Sequence, residues 1–460
     1  MNYKIITSLN SLIEEISYWK GPIACDIETH PTCILGVSLA ALNGKNSLYV
    51  PFKIFDKDKC VFKDYCDKSL HDQFGRILLD YRLVGHNFTY DKTHLDRHYK
   101  INTSWVADTR IMWHLASAPA GPRPYGLKDA QVELLGLESK GNLELKANIK
   151  ANGGKGDGKD MHLADLDVLA KYAALDAHST IMLYDKLSSF FDTHDYWWML
   201  EQMMQYNLLL QFNTDNGILV DVNGLEKSVE RLRRVAEGAK NRVYKELKNE
   251  IISLERDWAD RRIALYKRES NKTWYESHPE RWERFNINSD AHKRELFFDK
   301  LGNTPLDYTE GGKASVDAES IGRLQGTFVG DYLKYEKANT LLSNFGKPYL
   351  ANSSSGRLHP GFNICGTVSY RLSGFKPYLL NAPFDEKMLL KNFKCDEGYI
   401  GVHADLSAIE PTITAHYSED KALLKVFRDG LGDIYLDLAL ELFKDDTDLR
   451  RGYNPYAPVT

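Results

Sequence analysis

The stretch Ile23-Ala24-Cys25-Asp26-Ile27-Glu28-Thr29 decides the fold of the first part of the chain. Gly21 and Pro22 precede it as turn residues, and its apolar residues flank two carboxylates, a pattern that predicts a β-strand. Alternate residues of a strand share a face and lie roughly 7 Å apart, so Asp26 and Glu28 are placed to share one divalent cation. The structural alternative is an edge strand with a solvated acidic face, and this stretch alone does not decide between the two.

The composition is that of a soluble globular protein with two or three domains. The chain has 460 residues, of which 43% are hydrophobic and 27% charged, and a net charge of -5. Its six cysteines form no Cys-x-x-Cys pair, so neither a zinc site nor a disulfide framework is indicated. Residues 1–20 lack the apolar run of a signal peptide, and no apolar span reaches membrane length. A cytoplasmic location without a membrane partner is expected.

Two later motifs add carboxylates to the first pair. The segment Gly85-His86-Asn87-Phe88-Thr89-Tyr90-Asp91 places Asp91 just past a turn, at the head of a helix. Tyr172 and Asp176 are four residues apart, a spacing that puts both on one face of a helix. Strands that alternate with helices predict a mixed α/β domain with a partly antiparallel sheet. The stretch 153–160 approaches a phosphate-binding loop, but Asp160 replaces the required hydroxyl residue, so we reject that interpretation.

In this order the motifs resemble those of the DEDD-class 3′–5′ exonucleases, in the branch that contains a tyrosine, over roughly residues 1–190. The resemblance implies a ribonuclease H-like domain and two Mg²⁺ ions, with Mn²⁺ as a substitute. It implies that Asp26, Glu28 and Asp176 hold one ion. Asp26 would bridge to the second ion, which Asp91 supports through water, while Tyr172 orients the attacking water. Contacts to the 3′-terminal nucleotide are expected from His86 and Asn87.

The second half resembles the family A, or polymerase I-like, DNA polymerases. The motifs that carry this resemblance are Asn216–Asp221, Phe285–Ser289, Gly356–Pro360, Thr367–Ser373, Pro377–Pro383 and His403–Glu410. The resemblance implies that Asp405, at the end of a strand over 399–404, is one of two metal-binding aspartates of a polymerase site. It also implies that Glu410 lies under the incoming sugar, and that Arg371 and Asn381 contact the primer-template.

The expected organisation is an exonuclease domain over 1–192, a helical polymerase thumb over 193–350, and a partial palm over 351–460. The palm carries the Asp405 motif and is truncated before the fingers. Departures from the family pattern, such as Tyr370 in place of glycine and Tyr435 in place of histidine, suggest a divergent, bacteriophage type. Within the thumb, residues 255–284 mix basic and aromatic side chains and are expected to form a solvated helical hairpin, whose function is open.

These observations predict the N-terminal part of a replicative family A DNA-directed DNA polymerase with a proofreading 3′–5′ exonuclease. The polymerase activity would require a missing C-terminal part. Single-stranded 3′ ends and primer-template are the expected DNA partners, with a C-terminal polymerase chain and a processivity factor as candidate protein partners. The alternatives are a stand-alone 3′–5′ single-strand exonuclease remnant and a non-catalytic DNA-binding subunit.

Overall fold

The computed structural model describes residues 2–117, 125–137, 140–156, 158–375, 377–382, 387–402, 404–406, 408–428 and 442. The chain divides into two compact units, Met1–Lys394 and Cys395–Thr460. None of the helices in these described ranges is long and apolar enough to cross a lipid bilayer.

A six-stranded mixed sheet organises the N-terminal part of the first unit. The strands of this part are β1 Tyr3–Ile5, β2 Ile23–His30, β3 Cys33–Ala41, β4 Ser47–Pro51, β5 Lys53–Asp56, β6 Val61–Asp64, β7 Arg82–Gly85 and β8 Ser104–Asp108. The sheet order is β1-β4-β3-β2-β7-β8, and β5 and β6 pair separately. The β2–β3 and β3–β4 pairs are antiparallel, whereas β1–β4, β2–β7 and β7–β8 are parallel. The predicted mixed α/β fold is therefore confirmed.

Eight helices accompany this sheet among the described residues. They are α1 Leu9–Ile16, α2 Lys68–Leu79, α3 Thr89–Tyr99, α4 Thr109–Ser117, α5 Leu127–Glu133, α6 Lys140–Ala151, α7 Leu166–His194 and α8 Trp197–Asn216. Ser8 caps α1, because its side chain accepts a hydrogen bond from the backbone N–H of Ser11. The long helix α7 packs along β2, β3 and β4 and covers one face of the sheet.

Strand β2 lies between β3 and β7, at the centre of the sheet. The alternative of a solvated edge strand is therefore wrong for the stretch that contains Asp26 and Glu28. Its regular pairing with β3 ends in a register shift between Glu28 and Thr29. The two carboxylates consequently occupy the last regular positions of a central strand.

The rest of the first unit is mostly helical. Its elements are β9 Ile218–Val220, α9 Val222–Glu246, α10 Lys248–Ala264, α11 Glu269–Glu276, α12 Asp290–Arg294, α13 Ala318–Gly322, α14 Phe328–Leu341, α15 Lys347–Ala351, β10 Arg357–Leu358, β11 Gly361–Asn363, β12 Ser373–Phe375, α16 Lys387–Leu390 and β13 Phe393–Lys394. Helix α9 packs along α14 over a large apolar core, and β9 pairs with both β10 and β13. Helix α9 ends at Glu246, and α10 begins after Leu247.

The described part of the second unit contains α17 Ile409–Ser418 and α18 Lys421–Arg428. The strand expected over 399–404 is absent from its described residues, so that prediction is wrong. Tyr399, Ile400 and Val402 are between 76% and 87% exposed. A strand requires a hydrogen-bonded neighbour, and the described residues provide none beside this segment.

The core fixes the position of Gly36 on β3, opposite Glu28 on β2. A Cβ atom at Gly36 would lie 2.5 Å from the hydroxyl oxygen of buried Tyr49 and 2.8 Å from the carbonyl oxygen of Val50. Gly36→Ala is expected to destabilise the protein by about 1–3 kcal/mol, because this contact forces the core apart. Thermal unfolding followed by circular dichroism measures the effect.

The matched control is Gly330→Ala, since Gly330 lies within α14 and a Cβ atom there has no neighbour within 4 Å. This exchange is expected to leave stability unchanged or to raise it by up to about 1 kcal/mol, because alanine favours helix. An unfolding temperature for Gly36→Ala at or above that of the unaltered protein would contradict the packing described here.

Candidate active site

The alternation of side chains along β2 separates its structural residues from its chemical ones. Ile23, Cys25 and Ile27 enter the core that includes α1 and α2. Ala24 lies on the opposite face, where it packs against Ala177 of α7. Because alternate residues share a face, Asp26 and Glu28 lie on this second side with Ala24. The core side chains of β2 therefore direct both carboxylates toward α7.

Helices α7 and α3 bring the remaining carboxylates to the same place. Asp176 lies one turn after Tyr172 on α7, and Asp91 lies in the first turn of α3. The Asp91 Oδ1 atom accepts a hydrogen bond of 3.0 Å from the backbone N–H of Ile27, which lies between the two acidic residues of β2. Asp91 and Asp176 are 4% and 5% exposed, and Glu28 is 6% exposed. The structure thus gathers the four carboxylates predicted from three separate motifs.

Burial and mutual repulsion perturb the acidity of this cluster. Burial, followed by the nearby Asp176 carboxylate, raises the pKa of Asp26 to about 8. Burial and the Asp26 carboxylate likewise raise the pKa of Glu28 and the pKa of Asp91 well above their usual range. Carboxylates held this close in a low-dielectric site are disfavoured unless protons or cations neutralise them. The site therefore calls for added positive charge.

Lys128 supplies part of that positive charge, and the sequence analysis did not identify it as a site residue. From α5, its ammonium group donates a hydrogen bond to Asp176 and lies 4.2 Å from the centre of the Tyr172 ring. The same positive charge partly offsets the rise in the pKa of Asp26 and in the pKa of Glu28. One turn later, Gln131 donates to Asp176 Oδ1 at 3.0 Å. The Gly126-Leu127-Lys128 stretch was the available signal, but its sequence does not show which carboxylate it reaches.

The donor set fits a hard divalent cation, although its oxygens do not yet converge on one point. Among the described residues, no group of three or more His, Cys, Asp or Glu side chains is already arranged as a metal site. One oxygen of Asp176 faces Lys128 and Gln131, and one oxygen of Asp91 faces the backbone of β2. Buried carboxylates with raised pKa values are ligands of the type that Mg²⁺ and Mn²⁺ prefer. The chemistry of the residues therefore supports the predicted metal, with rearrangement around Asp176.

The two residues expected to contact a nucleotide differ in availability. His86 uses both ring nitrogens within the protein, with Nδ1 2.9 Å from the Thr109 hydroxyl and Nε2 3.1 Å from the Tyr125 carbonyl. Burial lowers the pKa of His86 to about 3, so the ring is neutral. Asn87 adopts a left-handed backbone conformation with φ 69°, and its Oδ1 accepts a hydrogen bond of 3.0 Å from Arg110. Asn87 is therefore the better placed of the two to present a polar group.

The expected polymerase residues lie apart from this cluster in sequence and are exposed. Arg371 lies between β11 and β12, and Asn381 lies in the turn region that follows β12. Asp405 and Glu410 belong to the second unit, where Glu410 occupies the first turn of α17. His403, in the same motif as Asp405, lies outside the described residues. The expected roles of these four side chains stay predictions.

A cavity with a volume of about 910 Å³ lies elsewhere, between α12, α13 and α14. Its buried Lys293 is paired with Asp290 at 2.9 Å and with Glu336 at 3.6 Å. This pairing neutralises its central charge. The four-carboxylate cluster is therefore the better candidate for chemistry, despite the larger volume of the other cavity.

Two family models match this chain. Residues 3–191 match the model described as 3′–5′ exonuclease, and residues 260–451 match the model described as DNA polymerase family A. The N-terminal α/β part is thus similar to 3′–5′ exonuclease domains. The chain thus combines one segment similar to 3′–5′ exonucleases with another similar to family A DNA polymerases.

The relatives are bacterial DNA polymerases I. The thermostable DNA polymerase I of Thermus filiformis is 36% identical over 173 residues, which are 36% of this chain and 21% of that protein. DNA polymerase I of Chloroflexus aurantiacus is 28% identical, over 72% of this chain and 32% of that protein. That of Synechocystis sp. is 26% identical, over 92% of this chain and 40% of that protein. The chain thus spans from about a fifth to two fifths of the length of these relatives, and they give no support to a bacteriophage type.

A solved structure shows the same fold. The POL domain of Pol1 from M. smegmatis, in complex with DNA primer-template and dNTP, aligns with a TM-score of 0.68 at 20% sequence identity. The alignment covers 96% of this chain and 68% of that chain. The two chains therefore share a fold.

The raised pKa values predict a pH-dependent stability in the absence of metal. Between about pH 4 and pH 8 the folded protein keeps protons on Asp26 that the unfolded chain releases, so stability falls as pH rises through this range. We expect the unfolding temperature in EDTA to be lower at about pH 8.5 than at about pH 5.5. Mn²⁺ should restore it, with the larger gain at the higher pH, because protons then compete less with the ion.

The Asp26→Asn variant distinguishes the contribution of Asp26 to the pH dependence from that of all other titrating groups. It should flatten the pH dependence in EDTA and remove most of the stabilisation by Mn²⁺, as measured by differential scanning fluorimetry. An unaltered response to both pH and Mn²⁺ in this variant would show that the cluster does not bind the ion.

Lys128→Met tests the contribution of the internal cation. Because it leaves Asp176 buried without the ammonium group, we expect a loss of about 1–3 kcal/mol in EDTA near pH 8. Mn²⁺ should recover this loss, since the ion replaces the missing charge. The control is Lys171→Met, whose pair with Glu144 is half-exposed and is expected to contribute less than about 1 kcal/mol. Equal effects of the two exchanges on urea-induced unfolding would refute this function of Lys128.

Proposed function

We propose that this chain removes nucleotides one at a time from the 3′ end of single-stranded DNA, as the proofreading activity of a DNA polymerase. The convergence of Asp26, Glu28, Asp91 and Asp176 at one buried site, beside Tyr172, carries this proposal. The family model matched by residues 3–191 agrees with it. A non-catalytic DNA-binding subunit would not require a cluster of buried carboxylates, and burying them costs free energy.

We assign the metal ligands from chemistry and from their positions. Asp26, Glu28 and Asp176 would hold one divalent ion, and Asp26 and Asp91 would support a second, with Mg²⁺ as the proposed ion and Mn²⁺ as a substitute. Bound there, two such ions supply an activated water and neutralise the charge that develops on a phosphodiester. When a divalent ion neutralises Asp176, the Lys128 ammonium group would leave the oxygen of Asp176 that it contacts.

Tyr172 is suited to hold the attacking water. Burial and the carboxylates of Asp176, Glu28 and Asp26 raise the pKa of its phenol far above the usual range, so its hydroxyl keeps the proton at neutral pH. A hydroxyl that stays protonated can donate one hydrogen bond and accept another. It can therefore orient a water molecule without taking its proton.

A cavity beside the carboxylates, with Arg97 and Lys159 in its lining, suits the DNA strand. Its volume is about 470 Å³, and it begins at Thr29 and Tyr90, the residues that follow Glu28 and precede Asp91. The side chains that line it include His30, His94, Arg97, His98 and Lys159, and its described lining has no acidic residue. A groove of this charge attracts a phosphate backbone without reading bases. This agrees with a substrate of any sequence.

DNA synthesis is proposed for the whole protein rather than for this chain by itself. The match of residues 260–451 to the family A model supports it. We propose Asp405 as a metal ligand of that reaction, Glu410 as a contact of the incoming nucleotide, and Arg371 and Asn381 as contacts of the primer-template. A C-terminal polymerase chain and a processivity factor are the proposed protein partners.

The exonuclease proposal is tested with a 5′-labelled oligonucleotide, Mg²⁺ and denaturing gel electrophoresis. The protein should shorten the oligonucleotide from its 3′ end and release nucleoside 5′-monophosphates. The Asp26→Ala/Glu28→Ala double variant should lose this activity, because neither ion keeps its ligands. Tyr172→Phe should be milder, with a loss of about 10²-fold or less, because only an orienting hydroxyl is removed.

Asp405→Asn is the matched control, since Asp405 is an exposed carboxylate that the four-carboxylate cluster does not include. It should degrade the oligonucleotide at the unaltered rate. Full activity of the double variant, or equal loss in the control, would refute the assigned site.

A further inference from the structure

One arginine links the exonuclease domain to the polymerase sequence. Arg110, at the start of α4, donates through Nη1 to Asn87 Oδ1 and through Nη2 to Asn363 Oδ1, both at 3.0 Å. Asn87 lies four residues before Asp91, whereas Asn363 ends β11 within the family A match. The two asparagines are therefore joined by a single planar guanidinium group across 276 positions of sequence.

Buried Asp108 holds the exonuclease side of this link in place. Its carboxylate is 1% exposed and accepts hydrogen bonds from the backbone N–H groups of Asn87 at 2.9 Å, Phe88 at 3.1 Å and Arg110 at 2.9 Å. The loop that carries Asn87 and the helix that carries Arg110 are thus tied to one anchor. The Arg110 side chain reaches from this anchor to Asn363.

The hairpin formed by β11 and β12 provides an equally firm anchor on the other side. Asn363 pairs with Ser373, and its Oδ1 also accepts the backbone N–H of Cys365 at 3.0 Å. Ile364 and Cys365 are buried in the same apolar core as residues of β7, β8 and α4. A hairpin of the polymerase sequence is therefore packed into the exonuclease domain.

The link determines which end of the Asn87 amide is free. A guanidinium group only donates hydrogen bonds, so Asn87 must present its oxygen to Arg110. Its NH₂ group then points away from Arg110 and has no hydrogen-bond partner among the described residues. A cavity of about 260 Å³ opens beside it, lined by Thr89, Tyr90, Asn207 and Phe375 among others. The amide consequently offers a donor, which suits a phosphate or sugar oxygen.

We propose that Arg110 is a positioning residue that makes the affinity of the exonuclease for the 3′-terminal nucleotide depend on the β11–β12 hairpin. Arg110 orients the Asn87 amide, and Asn363 orients Arg110. This inference rests on the proposed exonuclease function and adds a contribution from outside the exonuclease domain. Arg371 lies in the loop of the same hairpin, so the polymerase sequence that is expected to hold the primer-template also sets the geometry for the frayed 3′ end.

The test compares Arg110→Gln and Asn363→Ala in steady-state degradation of single-stranded oligonucleotides. Both should raise KM by about tenfold, the effect of losing one hydrogen bond to a charged group, and leave kcat within about twofold. The Arg110→Gln/Asn363→Ala double variant should be no worse than the poorer single variant, because both act through one link. Asn363→Asp, which keeps the accepting oxygen, should retain most of the affinity.

Thr214→Val is the matched control. The Thr214 hydroxyl donates to the carbonyl of Pro360 at 2.7 Å, so it also fastens the segment next to β11, but it does not reach Asn87. This variant should keep the KM of the unaltered protein. The dissociation constant for a 3′-terminated oligonucleotide in EDTA is the second readout, since it needs no catalysis. If Arg110→Gln does not fold, the Asn363 variants decide the outcome by both readouts.

The outcomes separate this inference from the proposed function. An unaltered protein that degrades no DNA refutes the exonuclease, and the dissociation constants then report on the link alone. An unchanged KM and dissociation constant for Asn363→Ala, or additive losses in the double variant, would overturn the positioning function of Arg110. An equal loss of affinity in Thr214→Val would show that the hairpin acts only through its general structure. That result would also overturn the positioning function of Arg110.

Discussion

The repulsion between buried carboxylates is the constraint on which the first unit depends. Four acidic side chains share one site, and three of them are at most 6% exposed. Asp26, Glu28 and Asp91 resist ionisation because burial removes water and their neighbours carry the same charge. Such an arrangement persists only because the apolar side chains on the other face of β2, and the packing of α7 across the sheet, hold it together. The stability of the core thus holds together four carboxylates that would otherwise move apart by mutual repulsion.

Lys128 and Asp108 show two ways in which the fold handles such charge. Lys128 brings an ammonium group to Asp176, and in the proposed function a divalent ion would take its place. Asp108 is satisfied by three backbone N–H groups instead and needs no ion. In the first arrangement, carboxylate oxygens of Asp176 stay available to bind an ion. In the second, the oxygens of Asp108 are occupied by backbone hydrogen bonds that fix a loop. Two buried aspartates with similar burial therefore have opposite functions.

The periodicity of the sequence predicted the parts of the site that arise within one element. Asp26 and Glu28 share a strand face, and Tyr172 and Asp176 share a helix face, so spacing was sufficient. Lys128 and Arg110 were not assigned functions, because their partners lie 48 and 253 positions away and a single charged residue carries no spacing signal. The strand expected over 399–404 was wrong for a related reason. Strand formation depends on a neighbour, and local composition cannot show whether one is present.

The register shift between Glu28 and Thr29 divides β2 into two zones with different evolutionary freedom. Before the shift, one inserted residue would turn both carboxylates into the apolar core and bring core residues to their place. Beyond it, the chain leaves the regular ladder and reaches, at Thr29 and His30, the cavity that Arg97 and Lys159 also line. Insertions there leave the carboxylates in position while they reshape the wall that a DNA strand would follow. A change of chain length beyond the shift would therefore alter the wall of this cavity without moving the carboxylates.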